Sequence, residues 1–426
     1  MPRYMDNYVA TVEPRQHSNQ IHQRAFDYNL GVVCYDDLGA RIGMPVEHQC
    51  ARREMRNSIL ANLALVEHAE PGNGLFYSRA NDEYARHRRY APASYTRRTI
   101  IRVIDELLTA GLIHETRTKP SRRATRRSVI WAQPTLNQKL AFLTLDDITY
   151  ELREPILLRD DRRRLLNYQE TKETRAMRRE VVEQNEILSK LDIGLDAPNW
   201  RLTDAGLYCD TDGRIANKQK WRLYRVFNRG QWTLGGRYYG GWWQGLPKES
   251  RAQLTINGEA VYEYDISGCH LRMAFAMAGA TLTESDPYQL DGLPRLLNTS
   301  KEVCRSLVKQ AVLVLLNADN FRSALGAIRQ NLADHRLSDP KAAKSIIAAT
   351  KAAMPELSAT WHSGIGLTLQ RHDSEVATRV MRSLRKQGIP VLPVHDSFLV
   401  PIHAAQLLQA TVNAEFELCL RRLGPR

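Results

Sequence analysis

Cysteine is scarce in this chain: six residues in 426 (Cys34, Cys50, Cys209, Cys269, Cys304 and Cys419). No two of them have the C-x-x-C spacing of a zinc site or a redox dithiol, and their scatter gives no disulfide framework. Long apolar runs are also missing. No eighteen consecutive residues are apolar, so no membrane-spanning helix is expected. The opening Met1-Pro2-Arg3-Tyr4-Met5-Asp6 lacks the charged-then-apolar order of a signal peptide. The expectation is a soluble protein of a reducing compartment, the cytoplasm, with no membrane partner. There is no internal repeat and no low-complexity tract. Acid is short as well: 47 Asp and Glu face 60 Lys and Arg, a formal net charge of +13. Such a surplus favours a polyanionic partner, nucleic acid ahead of an anionic membrane surface. What the chain does have is apolar material, 43% of its residues. That is enough for a packed core, and the length suggests two or three domains.

Residues 1–45 are weakly patterned. From Ala51 to Glu70, Met55, Ile59, Leu60, Leu63 and Val66 recur at helical spacing, until Pro71-Gly72-Asn73-Gly74 breaks the pattern. A second helix is expected over Asn81–Arg88. Ser94 and Thr96 are candidate N-caps for a third, whose apolar face is Ile100, Ile101, Ile104, Leu107 and Leu108, with Gly111 as its C-cap. Arg97, Arg98 and Arg102 crowd the first turns of that helix. A basic stretch follows, including Arg122, Arg123, Arg126 and Arg127, and Val129–Ala132 reads as a returning strand. This order, over Leu75–Pro134, resembles a winged helix-turn-helix. Arginines at a helix N-terminus can enter a major groove, and a basic wing can lie along phosphates. A surface helix followed by a solvated basic loop would show the same residues. Both basic clusters flank one compact unit, and this tips the reading towards nucleic-acid contact. Residues 136–200 are dense in both charge signs, with too few leucines and valines for a buried helix, and read as a connector of one or two exposed helices.

The chemistry is concentrated further on. Val261–Ile266 reads as a strand ending in Asp265, and Ser267-Gly268 turns it into a helix from Cys269. Arg305 and Lys309, four residues apart, share a helical face that continues through Leu313 to Asn317. Ile389–Val394 reads as a strand leading into His395-Asp396-Ser397, with Phe398–Val400 leaving on another, so that Asp396 stands at the tip of a tight hairpin. Each piece has an ordinary reading by itself: a turn, a solvated helix face, a chance tetrapeptide. Their combination in this order is rarer.

Asp265-x-Ser267-Gly268-x-x-Leu271-Arg272 resembles motif A of the family A polymerases, the group that contains DNA polymerase I. Arg305-x-x-x-Lys309 with Asn317-Ala318 resembles motif B, and Val394-His395-Asp396-Ser397 resembles motif C. Gly235-Gly236-Arg237 is similar to a Gly-Arg segment upstream of motif A in that enzyme and in single-subunit phage RNA polymerases. The resemblance spans 235–402. It implies an α+β fold, a palm built on an antiparallel sheet with helical fingers between Pro287 and about Gln387, preceded by a mainly α winged-helix domain. The expected division is 1–135 for nucleic-acid binding, 136–200 for the connector (a reduced thumb-like arm), and 201–426 for palm and fingers.

By the same resemblance, Asp265 and Asp396 would bind two Mg²⁺ ions about 3.5–4 Å apart, with Mn²⁺ as a substitute. The carbonyl of Ile266 would complete one shell, Lys309 and Arg305 would contact the nucleoside triphosphate, Arg237 would add a phosphate or template contact, and His395 would position the primer end. Departures from the family fall where sugar selection is made. His270 stands where DNA polymerase I has a glutamate that blocks a 2′-hydroxyl, and Asn317-Ala318 replaces a tyrosine-glycine pair. Ser397-Phe398 follows Asp396 as in the phage RNA polymerases. No acidic cluster of the proofreading type is visible in the first 200 residues. Three readings follow: a small DNA polymerase of a plasmid, phage or mobile element, acting on template-primer DNA or RNA alongside replication proteins; a primase-like or RNA polymerase; and a non-catalytic replication initiator.

Overall fold

The structure, a computed structural model, describes residues 23–32, 35–69, 71–117, 127–204, 206–335, 337, 339 and 341–424. The chain is α+β and divides into two compact units, residues 23–225 with 239–260, and residues 226–238 with 261–424.

In the first unit, strand β1 (Gln23–Ala25) is followed by helix α1 (Cys50–Ala69), strand β2 (Gly74–Ser78), helices α2 (Asn81–Arg86) and α3 (Arg97–Thr109), and strands β3 (Ile113–Arg117) and β4 (Arg127–Ala132). The sheet order is β1-β2-β4-β3, parallel between β1 and β2 and antiparallel elsewhere. Thr96 caps α3 by accepting the Thr99 N–H at 3.1 Å, and the helix buries Ile100, Val103, Ile104 and Leu107. That face packs with Met55, Ile59, Leu60 and Leu63 of α1 in one core. Each fully buried Leu or Ile contributes about 1.5–3 kcal/mol. The helices and hairpin of the winged-helix reading are therefore present. Strand β2 was not foreseen. Its hydrophobic stretch Leu75–Tyr77 is too short for a periodicity to show, and its partners β1 and β4 are both distant in the chain.

The 136–200 segment differs from expectation in two ways. It holds one helix over its charged part, α4 (Lys172–Leu188), opened by a Thr171–Thr174 capping box. Although sparse in apolar residues, α4 buries Met177, Val181 and Leu188, together with Thr174 and Gln184. Short strands at Ile148–Tyr150, Ile156–Leu158 and Ile193–Leu195 stand where only helices and loops were expected.

The second unit contains most of strand β5 (Gln231–Tyr239) and, from Val261 on, strand β6 (Glu259–Asp265). Helix α5 (Cys269–Met277) follows, then α6 (Lys301–Asn317), α7 (Phe321–Asp334), α8 (Ala342–Ala353) and α9 (Gly366–Lys386). The hairpin β7 (Leu392–Val394) and β8 (Ser397–Pro401) precedes the last helix, α10 (Ala405–Leu423). β8 lies between β7 and β6, antiparallel to both. Helices α5, α9 and α10 pack on one another, and α6, α7 and α8 form a second helical cluster that touches the first where α6 meets α9. Phe398 of β8 and Phe416 of α10 are fully buried.

Candidate active site

The register of β6 against β8 decides the site. Val261 pairs with Pro401, and the ladder runs without a slip to Asp265 opposite Ser397. One residue beyond the strand, the Ile266 N–H donates to the Asp396 carbonyl at 3.2 Å. Asp265, exposed at the end of β6, and Asp396, half-buried at the hairpin tip, thus occupy adjoining backbone positions at one end of the sheet. Ser397 Oγ donates to Glu263 Oε1 at 2.9 Å, which adds a third carboxylate to the same strand end. Gly268, with φ +62°, is the residue from which α5 starts. A left-handed residue is what lets the chain reverse from strand into helix within three residues of Asp265. His395 has φ +59°. A two-residue hairpin needs positive φ there and glycine meets that need without strain, whereas a histidine costs about 1–2 kcal/mol. Non-glycine residues held in this way concentrate at functional sites.

The cations come from α6. Arg305, Lys309, Leu313 and Asn317 are all exposed, one per turn, while Cys304, Leu307, Val308, Ala311, Val312, Leu315 and Leu316 are buried behind them. Arg305 Nε donates to Asp286 Oδ2 at 2.6 Å, and its guanidinium lies 5.8 Å from the centre of the Tyr288 ring. The Tyr288 hydroxyl is pushed up to about 12, first by burial, with Arg305 opposing and Asp286, Cys269 and Asp396 adding to the rise. One buried tyrosine therefore feels both Arg305 and Asp396. Lys309 makes no ion pair among the described residues. Asn317 donates from Nδ2 to the Leu313 carbonyl at 2.7 Å, and its Oδ1 sits over Gly366, where a Cβ would stand 1.6 Å away. A Cβ at position 366 would require the exposed Asn317 side chain to move aside.

Arg237 and His270 are both buried, and both end on Asp373 of α9. Arg237 Nε donates to Asp373 Oδ2 at 2.8 Å, and a second, shorter bond comes from Nη2. His270 Nε2 is 2.7 Å from the same oxygen. Burial by itself would raise the Asp373 pKa; Arg237 and then His270 outweigh it and hold the carboxyl below its ordinary value. Around this pair, the Tyr238 hydroxyl meets Thr378 at 2.8 Å, and Arg371 Nε donates to the Trp232 carbonyl at 3.0 Å. Sequence reasoning missed Asp373, Tyr288, Asp286 and Glu263. Asp373 alone carried a signal. It is an acid on the apolar face Leu369, Val376, Ala377, Val380 of an amphipathic helix, and an acid buried there requires a cation.

In the other unit, Arg97, Arg98 and Arg102 line an open groove with Met44, Val46 and Ile101. All three arginines are exposed. Arg97 Nε donates to the Arg79 carbonyl at 2.8 Å and Arg102 lies 3.5 Å from Glu106, contacts that leave both guanidinium groups facing water. Arg122, Arg123 and Arg126 fall outside the described residues, and Arg127 is described only by its backbone, in β4.

Among the described residues no group of three or more His, Cys, Asp or Glu is placed to hold a metal ion. Two carboxylates and a backbone carbonyl are hard oxygen donors and fit Mg²⁺, which keeps several waters and takes further ligands from substrate phosphates. Among the same residues no helix is long and apolar enough to cross a membrane.

No family model matches the chain, and no curated protein is similar to it. Among solved structures it is similar to the POL domain of Pol1 from M. smegmatis in complex with DNA primer-template and dNTP, at 12% identity and a TM-score of 0.30. The alignment covers 92% of this chain and 64% of that one, so the chain spans less than two thirds of that domain's length.

Proposed function

We propose that this chain is a template-directed nucleotidyltransferase, a small family A-like DNA polymerase without proofreading that acts in the cytoplasm on a plasmid, phage or mobile element. One observation carries the reading. The register of β6 on β8, extended by the Ile266 N–H to Asp396 carbonyl bond, brings two carboxylates far apart in the chain to one sheet end. Asp265, Asp396 and the Ile266 carbonyl would hold Mg²⁺, or Mn²⁺ in its place. Bound there, the metal supplies the positive charge that activates a primer 3′-hydroxyl and stabilises leaving pyrophosphate.

The remaining roles belong to the chain's own groups. Lys309 and Arg305 bind the triphosphate by charge-assisted hydrogen bonds, Arg305 exchanging Asp286 for phosphate. His395, fixed by its hairpin, positions the primer end, and Asn317 extends the nucleotide-facing stripe of α6. Arg97, Arg98 and Arg102, with the basic wing, neutralise duplex phosphates and so hold the template-primer. Template DNA or RNA, nucleoside triphosphates and replication proteins are the partners of this reading.

A second reading, an enzyme that uses ribonucleotides, is favoured by one feature. The residue where the family's DNA enzyme carries a blocking carboxylate is His270, tied to Asp373.

The test is extension of a labelled primer on a DNA template with Mg²⁺, supplying deoxynucleotides and ribonucleotides separately, beside Asp396→Ala. Extension that the variant loses is the expected result. No incorporation of either nucleotide, with or without primer, would leave the DNA-binding initiator as the reading to pursue.

A further inference from the structure

Alternation along the strands of the first unit's sheet sends Leu75, Tyr77, Ile113 and Ile130 into the core with α1 and α3. Phe76, Val129 and Trp131 stand between them, on the opposite face, and take no part in that core. On that face His114 is opposite Trp131 in the ladder of β3 with β4. The two rings are stacked, with centres 4.8 Å apart and planes 6° from parallel. Gln133 Nε2 lies 3.4 Å from His114 Nδ1. The indole also leans over Gly74 of β2: a Cβ there would stand 2.7 Å from its Nε1 and Cε2, and 2.4 Å from Val129 Cγ1. A glycine inside a strand marks such a close approach.

Packing accounts for only half of this arrangement. The half-buried indole has an ordinary use, since it and the buried Val129 meet over Gly74. His114 has none, because it is exposed and stands on β3, the edge strand of the sheet. A flat ring held parallel to an indole at the rim of a sheet offers its outer side to a further flat ring. The surrounding charge selects the kind of ring. None of the positions that alternation gives to this face in β2, β3 and β4 is acidic, and β4 enters it with Arg127. Glu115, the one acid of these three strands, lies on the core face, held by Tyr77 and Arg79. The sequence that joins β3 to β4 carries Lys119, Arg122, Arg123 and Arg126 and no acid. A base is a flat ring that arrives with a negative backbone.

We propose that this sheet face is a second nucleic-acid site, one that takes an unpaired strand: a base stacks on the outer side of His114 and continues the Trp131–His114 stack. Its flanking phosphates meet a surface without acid. In a duplex each base is already covered by its neighbours, so the site distinguishes a single strand from paired DNA. It goes beyond the catalytic reading and does not depend on it, since binding here needs neither metal nor nucleoside triphosphate.

The test is fluorescence anisotropy of a labelled oligothymidylate with the full chain, in EDTA so that no extension occurs. His114→Leu removes the flat ring at an exposed position and should weaken binding about tenfold, the scale of one lost base–aromatic stack. His114→Tyr, flat and uncharged, should bind as the wild type does, and a blunt duplex should bind all three proteins alike. A His114→Leu protein with wild-type affinity for the strand, or a His114→Tyr protein as weak as His114→Leu, overturns the proposal. So does an equal loss on strand and duplex, or a wild type that does not bind the strand. Location is read separately. A strand carrying 5-iodouridine, irradiated on the wild type, should cross-link to the peptide that contains His114 or the one that contains Trp131, and cross-links confined to other peptides overturn the proposal. Primer extension decides the catalytic reading alone: a chain that extends no primer yet passes these tests keeps this site, and one that extends primers but fails them loses it.

Discussion

Replacing Asp373 by alanine should destabilise the second unit strongly, and the structure sets the size. Arg237 is 7% exposed at its side chain and Asp373 1%, so water cannot take over for either one. Removing one partner of a buried pair leaves an uncompensated charge, at a cost of about 3–5 kcal/mol. In a unit of this size each kcal/mol lowers Tm by roughly 2–4 °C, so a fall of about 6–20 °C is expected. The double variant Arg237→Met with Asp373→Leu removes both charges and keeps apolar volume. Its stability should lie well above the sum of the two single losses, because replacing a whole buried pair is often neutral. The pair also predicts an acid dependence. Asp373 has a folded pKa below its unfolded value, so its contribution is present above about pH 4 and is lost as pH falls through the folded pKa. In Asp373→Ala that part of the acid transition should disappear. Calorimetry of the four proteins of the cycle, at neutral pH and near pH 3, reads both effects. Single losses under about 1 kcal/mol, or a double variant as unstable as the sum, would refute the account of a dry, mutually dependent pair.

Other outcomes follow from individual side chains. Asp286→Asn removes the carboxylate that Arg305 must give up to bind phosphate. The pair is partly exposed and worth about 0–1 kcal/mol, so the nucleotide KM should fall by up to roughly fivefold with kcat little changed, measured by steady-state incorporation. Changing Arg97, Arg98 and Arg102 together to glutamine should weaken duplex binding, and the slope of log affinity against log salt should shrink by about one unit for each phosphate that is no longer neutralised. An unchanged slope in a fluorescence-anisotropy titration would mean that these arginines face only solvent.

Local pattern was enough for elements whose signal is local. The α3 cap at Thr96, its apolar face, and the stripe Arg305, Lys309, Leu313, Asn317 could be read because helical spacing and capping act within a few residues. Strand ends at Asp265 and Asp396 could be read because a strand–Ser–Gly turn and a tight hairpin are also short-range. The β2 strand and the half-buried face of α4 could not, since both owe their state to partners distant in the chain.

The sequence by itself therefore determined which residues carry charge and which face of each helix is apolar. It also determined that two aspartates stand at strand ends. Only the tertiary structure decided that those two aspartates share one sheet end, because register is a property of two strands and a one-residue slip would turn either side chain to the opposite face. It alone decided, too, that Arg237 and His270, read separately as ligand contacts, converge on Asp373. The physical reason is that a buried charge must find its counter-charge across space, and three elements far apart in the chain, β5, α5 and α9, supply one group each.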